Sequence, residues 1–506
     1  MITQKSNLVG KIIPKQSLSG ELDNKIIYVE PITEDITVAS GDETQIVIPS
    51  EGKYIRNVTV NPLPTETKNI TANGQHDVRH YGTAQVNVIG EEIQPKDVIF
   101  IDYNGRILYS YTKEEFLQLN TMPSNPEHET LIAQGWNWNL EEAQSYVNKY
   151  GILCIGQMYV TKNGTTNIYI SLSKYKLSPY LGMHVNGTAV VDWGDGSSTT
   201  TLTGTDGLTS TKHDYPSAGD YVIKISTTEN STISFSGYST YGGSYILWGN
   251  YFNQNADNAL YKRCVKKIEF GTNVVFDKSQ SFEKISGLEE IVISKSNLTE
   301  GNFAMNNCCD LKAVVVPNNF KNIQVSCPYN YNLTYCSLPN SLEQLRGTFN
   351  GSTIRFLTLP TKVTDLTTMD DGAFRSTYSI NKLIVPDNVT TLRDNFLNGS
   401  QIKSLYLSEG LTSIGAGVFA NCEVISVIQI PKDITAIPTN AFNSCKGLAY
   451  ITFLEHEVVP TLGSSALNNT GTRLIVVPDA LYESWKTASG WSSYASVIIK
   501  ASDWEE

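Results

Sequence analysis

The sequence predicts a multidomain, mainly β protein: small N-terminal β modules, a β-sandwich in the middle, and a C-terminal solenoid closed by a short helical cap. Three observations carry this. The chain has 506 residues, more than one hydrophobic core usually holds. Only 17% of residues are charged against 40% hydrophobic, so uncharged polar residues must cover much of the surface, and the visible wealth of Asn, Thr, Ser, Gly and Tyr suits strands and turns better than helical bundles. Finally, short β-prone runs recur along the second half at a nearly constant interval, the mark of stacked repeats.

Charge and hydropathy set limits on partners. The formal net charge is −12 and no Lys/Arg block is present, so phosphate backbones are repelled and no nucleic acid is expected. No run approaches the roughly 20 apolar residues of a membrane helix, so no membrane insertion is expected. The opening MITQKSNLVGKIIPKQSLSG has no apolar stretch resembling a secretion signal. The expectation is synthesis in a bacterial cytoplasm and release by another route.

Residues 1–94 hold two related units. QIVIPSEGKYIRNVTVN ends in Val58, Val60 and Asn61; NITANGQHDVRHYGTAQVNVIG ends in Val86 and Val88, 28 residues later. Each reads as strand, turn, alternating strand. The second, through Ile70, Thr71, Asn73, Gly74, His76, Asp77, Val78, Tyr81, Ala84, Val86 and Val88, resembles modules of tail and baseplate proteins of phages of Gram-positive bacteria. That resemblance implies attachment to other tail or baseplate proteins through this region. It also implies a homo-oligomer, although no heptads are present to enforce a trimer.

Residues 95–165 read as a mixed α/β connector. DVIFIDYNGRILYSY alternates and turns at Asn104-Gly105, a hairpin signal. Thr112 and Glu115 form a capping box for a following helix, and Asn139 is positioned to cap a second helix over LEEAQSYV. Trp136 and Trp138, two apart, would share one face of a strand; they read as a plug between domains or as a platform for a sugar ring.

Residues 166–260 contain VDWGDGS and KHDYPSAGDYVIKI. Asp and Gly permit the tight turn, while Trp193, Tyr221 and Ile223 alternate toward a core. These runs resemble the polycystic kidney disease domain, an immunoglobulin-like sandwich, through Trp193, Gly194, Asp195, Gly196, His213, Tyr215, Gly219, Tyr221 and Ile223. Asp192 and Asp195 read as turn residues and His213 as a packed, hydrogen-bonded side chain. Six histidines without HxH or HExxH spacing give no reason to expect a metal or other cofactor. The adjacent pairs Glu114–Glu115 and Glu141–Glu142 occupy neighbouring helical positions that do not face each other, so the reading is a protein that is not an enzyme.

Residues 261–478 form the array. Ten runs end at residues 270, 293, 316, 338, 359, 385, 407, 430, 453 and 477, with intervals of 23, 23, 22, 21, 26, 22, 23, 23 and 24. Between them lies a second apolar set: Val389, Leu392 and Phe396; Leu411, Ile414 and Phe419; Ile434, Ile437 and Phe442. One unit cannot bury its own apolar face, and stacked units bury a continuous core. Cys308, Cys422 and Cys445 each lie eight residues before a strand end, so they read as buried free thiols at a packing position. The pattern resembles BspA-like leucine-rich repeats, with less regular turns around 320–350. Residues 479–506 would cap the last turn with Tyr482, Trp485 and Trp491.

Together these readings describe a structural and binding component of a phage tail or baseplate. It would be located in the virion and contact a bacterial surface glycan or protein through its C-terminal region. A bacterial cell-surface adhesin is the alternative, and Asn-x-Ser/Thr sites at Asn57, Asn69, Asn163 and Asn186 are only the statistics of an Asn/Thr-rich chain. No binding residue is assigned by pattern; Lys382, Lys403, Tyr406 and Gln429, on the solvent side of solenoid strands, are one candidate surface, and the sandwich loops are another.

Overall fold

The computed structural model describes residues 95–235 and 260–504 with short gaps between 276 and 379, the backbone of six strands between Leu8 and Gly90, and a few positions between 238 and 247. The Ile70–Tyr81 motif lies outside the described residues. The chain divides into two compact units, Met1–Phe100 with Ile107–Glu115, and Ile101–Arg106 with Phe116–Glu506.

In the first unit, Leu8–Pro14 pairs antiparallel with Glu43–Ile48 on one side and Ala84–Gly90 on the other. Asn24–Tyr28 adds in parallel outside Glu43–Ile48, and Asp35–Ala39 pairs in parallel with Asn57–Asn61. The two alternating runs that resemble copies of one module thus belong to different sheets. At the start of helix Lys113–Leu117 the capping box forms: Thr112 N donates to Glu115 Oε2 at 2.8 Å and Glu115 N to Thr112 Oγ1 at 3.2 Å.

In the second unit, all ten recurring runs are strands, from Val265–Glu269 to Leu474–Val477. They stack in parallel with partners one repeat apart, such as Ile268 opposite Ile291 and Ile428 opposite Ile451. Their central residues (Ile268, Ile291, Val314, Cys336, Leu357, Leu383, Ile428, Ile451 and Ile475) form one inward column of a continuous core. A second row of shorter parallel strands, such as Thr391–Leu392 with Ser413–Ile414, closes the opposite side. Around 320–350 that row lengthens to five residues, Asn322–Ser326 against Gln344–Thr348, which is why the repeat motif loosens there. Phenylalanines stack between turns, Phe349 on Phe374 at 5.5 Å and Phe419 on Phe442 at 5.1 Å.

The cysteine position is a packing position. Cys308, Cys422 and Cys445 are buried, and each thiol donates to a backbone carbonyl of the preceding turn: Phe282 O at 3.1 Å, Leu397 O at 3.0 Å and Phe419 O at 2.8 Å. Ser400 makes the same bond to Phe374 O. The position therefore selects a small side chain that can add a second donor to a buried carbonyl already bonded to a backbone amide, as Leu397 O is to Ser400 N and Phe419 O to Cys422 N.

The C-terminal segment caps the core as expected, with Trp485 and Trp491 buried, their rings 4.5 Å apart, and Trp485 4.5 Å from Phe453. Beyond the expected helix, Ile498–Lys500 adds one more parallel strand beside Leu474–Val477.

The central region departs from an independent sandwich. Thr166–Leu172, Tyr180–Asp192, Thr200–Lys212 and Gly219–Thr227 form an antiparallel sheet in which Thr166–Leu172 also pairs with Val265–Glu269, the first solenoid strand. The sheet is thus continuous with the solenoid and covers its first turn, whose apolar edge would otherwise be open. The facing second sheet of an immunoglobulin-like fold is not established by this pairing. Trp193 and Ile223 are buried as expected, and Tyr221 is half-buried. Asp192 and Asp195 accept from Gly194 N and Ser197 N within their turn. His213 stacks on Trp193 at 4.6 Å and bonds Asp195 Oδ2 at 2.7 Å, a lock on the turn.

Candidate functional site

The strand face of the solenoid is the natural candidate surface, because its outward residues repeat at the spacing of the turns. Register divides it in two. In one outward row Ala313, Tyr335 and Phe356 are buried whereas Ser404 and Val427 are exposed, Val427 by 46%; in the other, Val292, Val315, Ser337, Thr358 and Ile384 are buried, Gln429 is exposed and Thr452 is buried again. The cover is the connector itself.

That cover is built from local sequence signals. Asn139 caps helix Leu140–Tyr150 by accepting from Glu142 N at 2.9 Å, and Gly151, at φ +85°, ends it by adopting the left-handed conformation that glycine tolerates. The chain then returns as Leu153–Thr161, buried at all nine residues, and this strand crosses the solenoid strands from Glu290–Val292 to Phe356–Leu357. Close approach is possible because residue 156 is glycine: a Cβ there would lie 2.4 Å from Val315 Cγ1.

Asn137 rivets the layers. It is 1% exposed; its Nδ2 donates to Val316 O at 2.9 Å and Ser337 Oγ at 3.0 Å, and its Oδ1 accepts from Gly156 N at 2.8 Å. Ser337 Oγ in turn donates to Cys154 O at 2.8 Å. Sequence reasoning passed over Asn137 and Ser337, since nothing local distinguishes a buried amide from the many exposed ones in this chain.

Aromatic side chains then mark successive turns. Trp138 Nε1 donates to Leu338 O at 2.9 Å, Tyr146 OH to Leu359 O at 3.1 Å, and Tyr150 OH to Asp387 Oδ2 at 3.4 Å. Each acceptor lies at or just past the end of one repeat strand. A helix places residues four apart about 6 Å along its axis and strands stack about 4.8 Å apart, so Tyr146 and Tyr150 meet successive turns nearly in step, and Trp138 reaches the turn before them from the segment ahead of the helix. Its C-terminus is pinned by Lys382 Nζ, which donates to Tyr150 O at 2.8 Å, and by an ion pair between Lys149 and Asp387. Burial works against the Asp387 charge, yet Lys149, the Glu409 amide and Tyr406 hold its carboxyl below the usual range. A half-open cleft of about 300 Å³ flanks the helix, lined by Glu141, Ser145, Lys149, Asn340 and Thr361 among others.

A second polar cluster secures the first turn. Lys267 lies 2.8 Å from Glu269 Oε1 and donates to Tyr103 OH at 2.9 Å; Asn167 and Tyr169 donate to Glu269 Oε2 at 3.0 and 2.9 Å. Burial opposes the Lys267 charge, but Glu269 and Tyr103 outweigh it and raise its pKa. The fully buried Glu269 is committed to these partners, so the cluster reads as an anchor between connector and solenoid.

The sequence candidates resolve accordingly. Trp136 and Trp138 are both buried, Trp136 bonding Pro123 O at 2.9 Å; they form the plug and no sugar platform, because the strand ends at Trp136 and the two rings pack on different partners. Lys382 and Tyr406, expected on the open face, are engaged, Tyr406 OH donating to Asp387 Oδ1 at 2.9 Å. Lys403 and Gln429 are exposed as expected. Glu115 and Glu142 are held by their caps. Among the described residues no group of three or more His, Cys, Asp or Glu is arranged to hold a metal ion, and no helix is long and apolar enough to cross a membrane.

Comparison with known proteins agrees with the repeat geometry. Residues 254–369 and 367–488 match the model of the BspA type leucine rich repeat region, in six copies. No curated protein matches the chain. Similar solved structures include a leucine-rich repeat protein from Bacteroides ovatus (15% identity, TM-score 0.30, 46% of this chain and 76% of that one). Others are a leucine rich cell surface protein from Faecalibacterium prausnitzii (19%, 0.25, 48% and 78%) and a leucine rich repeat protein from T. pallidum (14%, 0.18, 43% and 86%). The second half of this chain is a BspA-type leucine-rich-repeat solenoid.

Proposed function

We propose that this chain is a bacterial cell-surface binding protein whose solenoid engages its partner through the uncovered end of the strand face, around Ser404, Val427 and Gln429. The observation that carries this is the contrast in burial along one face. Ala313, Tyr335 and Phe356 are buried beneath the connector, while Val427, in the same outward row, keeps 46% of its surface exposed. A repeat array offers an extended surface suited to binding, and BspA-like repeats occur in bacterial surface adhesins. The tail or baseplate reading rests on residues 1–94, and no comparison supports it.

Two measurements test the proposal. Immunogold electron microscopy on a producing culture should label cell envelopes; label confined to the ends of phage tails would overturn the location. The intact protein, immobilised on beads, should retain target bacterial cells, and Val427→Glu should release them. Retention unchanged by that substitution would move the binding surface elsewhere.

A further inference from the structure

We infer that the uncovered strand face is a docking groove for an amphipathic helix of a partner protein that carries Tyr or Trp at helical i and i+4 positions. The inference rests on the binding reading above and names the partner's chemistry. Its basis is continuity with the interface already formed within the chain. Helix Leu140–Tyr150 lies on this face and sets two aromatic side chains four residues apart, Tyr146 on Leu359 O and Tyr150 on Asp387, while Trp138, just before the helix, reaches Leu338 O. At Gly151 the helix stops, but the face continues. Strands Ser404–Tyr406, Val427–Gln429 and Tyr450–Thr452 keep the same inward column; the first pairs in parallel with Lys382–Ile384 and the second with the third, whose outward Thr452 is buried while Tyr450 is half-buried.

The uncovered rows carry the features that the covered rows use. Val427 and half-buried Tyr450 are apolar or aromatic outward residues, as are Ala313, Tyr335 and Phe356 at the equivalent places under the connector. Leu407 and Ile430 end their strands where Leu338 and Leu359 end theirs. The Tyr150 ring already reaches across to Tyr406, 5.5 Å between centroids, so the edge of the groove is aromatic on both sides. An incoming helix would extend the helix Leu140–Tyr150 along the solenoid, one residue in four meeting one turn. A helix is a better fit than a strand here, because the edges of these strands point along the stack, Ser404–Tyr406 toward Lys382–Ile384 and Val427–Gln429 toward Tyr450–Thr452, and the face itself offers side chains and strand-end carbonyls.

The probe is the chain's own specimen of the chemistry: a fluorescein-labelled peptide of residues 137–151, NWNLEEAQSYVNKYG, held helical by a side-chain crosslink at exposed positions and titrated with the intact protein. Anisotropy should report saturable 1:1 binding. Val427→Glu in the protein, and separately Ser404→Arg, should each weaken it by about tenfold or more; both sites are exposed, so the melting temperature should hold. A peptide with its Trp138, Tyr146 and Tyr150 positions replaced by Ser should not bind. No saturable binding, or binding indifferent to both protein variants, overturns the inference; the second result would mean the peptide merely displaces the resident helix. If the peptide fails while cells are still retained in a Val427-dependent way, the helical partner is wrong and the binding surface stands. If both fail, the binding reading falls as well.

Discussion

Replacing Gly156 by alanine tests the docking of the connector on the solenoid with one methyl group. The added Cβ would stand 2.4 Å from Val315 Cγ1, 2.7 Å from Val315 Cγ2 and 3.0 Å from Ser337 Cβ. Carbon atoms prefer about 3.5–4.0 Å, so the strand must lift by about 1 Å or Val315 must leave its rotamer. Overpacking of this kind costs about 1–3 kcal/mol. Lifting also stretches the bond from Gly156 N to Asn137 Oδ1, now 2.8 Å, and a buried hydrogen bond of this type contributes roughly 0.5–1.5 kcal/mol. The expected loss is therefore about 2–4 kcal/mol. Urea unfolding gives the magnitude, and amide hydrogen exchange over residues 137–161 and 313–337 gives the location. Val315→Ala in the same chain removes the two opposing methyl groups and should recover at least about 1 kcal/mol of the loss, a coupling that independent sites would not show. Gly207→Ala is the control: no atom lies within 4 Å of its Cβ, and a shift under about 0.5 kcal/mol is expected. A Gly156→Ala protein within 0.5 kcal/mol of the parent, or a loss that Val315→Ala leaves untouched, would refute the claim that the two layers meet at that glycine.

Three further outcomes follow from the same structure. Burial pushes the Cys445 thiol up to about 12, so site-resolved alkylation at pH 8 should leave Cys445 unmodified until the solenoid unfolds; rapid labelling of the folded chain would contradict its packing role. Burial opposes the Asp195 charge, but Ser197 and His213 hold its carboxyl down to about 2. The Asp195 contribution is therefore present above the unfolded value near 4 and is lost as pH falls through the folded value, so the stability gap between the parent and Asp195→Asn should close as pH falls from about 4 to 2; a gap constant over that range would show that the charge is not involved. Trp485→Ala should cost about 3–5 kcal/mol by opening the last turn beside Phe453, read by urea unfolding, and a loss below about 1 kcal/mol would mean that the cap is dispensable.

Much of the fold was legible because repetition amplifies weak local signals. A run such as ISVIQIP is ambiguous by itself, yet ten such runs at an interval near 23 residues admit one explanation, and all ten are strands. The thiols at Cys308, Cys422 and Cys445 were readable for the same reason: a residue that returns with the repeat meets the same surroundings every time. Capping at Thr112 and Asn139 was readable because a cap is decided within four residues. The continuous sheet from Thr166–Leu172 into Val265–Glu269 was not, since pairing across about 100 residues depends on which edges remain open once both parts exist. Nor was the extra strand Ile498–Lys500, too short to stand out in its segment.

The sequence by itself determined the solenoid, its cap and the local turns and helix ends, because each depends on neighbours along the chain or on identical neighbours one repeat away. Only the tertiary structure decided which part of the strand face stays open. Lys382 and Ser404 stand opposite each other in adjacent repeats, yet one is bound to the end of a helix more than 200 residues earlier and the other faces solvent. Nothing in either repeat records that difference, because burial is a property of what arrives from elsewhere. Asn137, Gly156 and Ser337 became a single joint only when two distant stretches were brought within hydrogen-bonding distance.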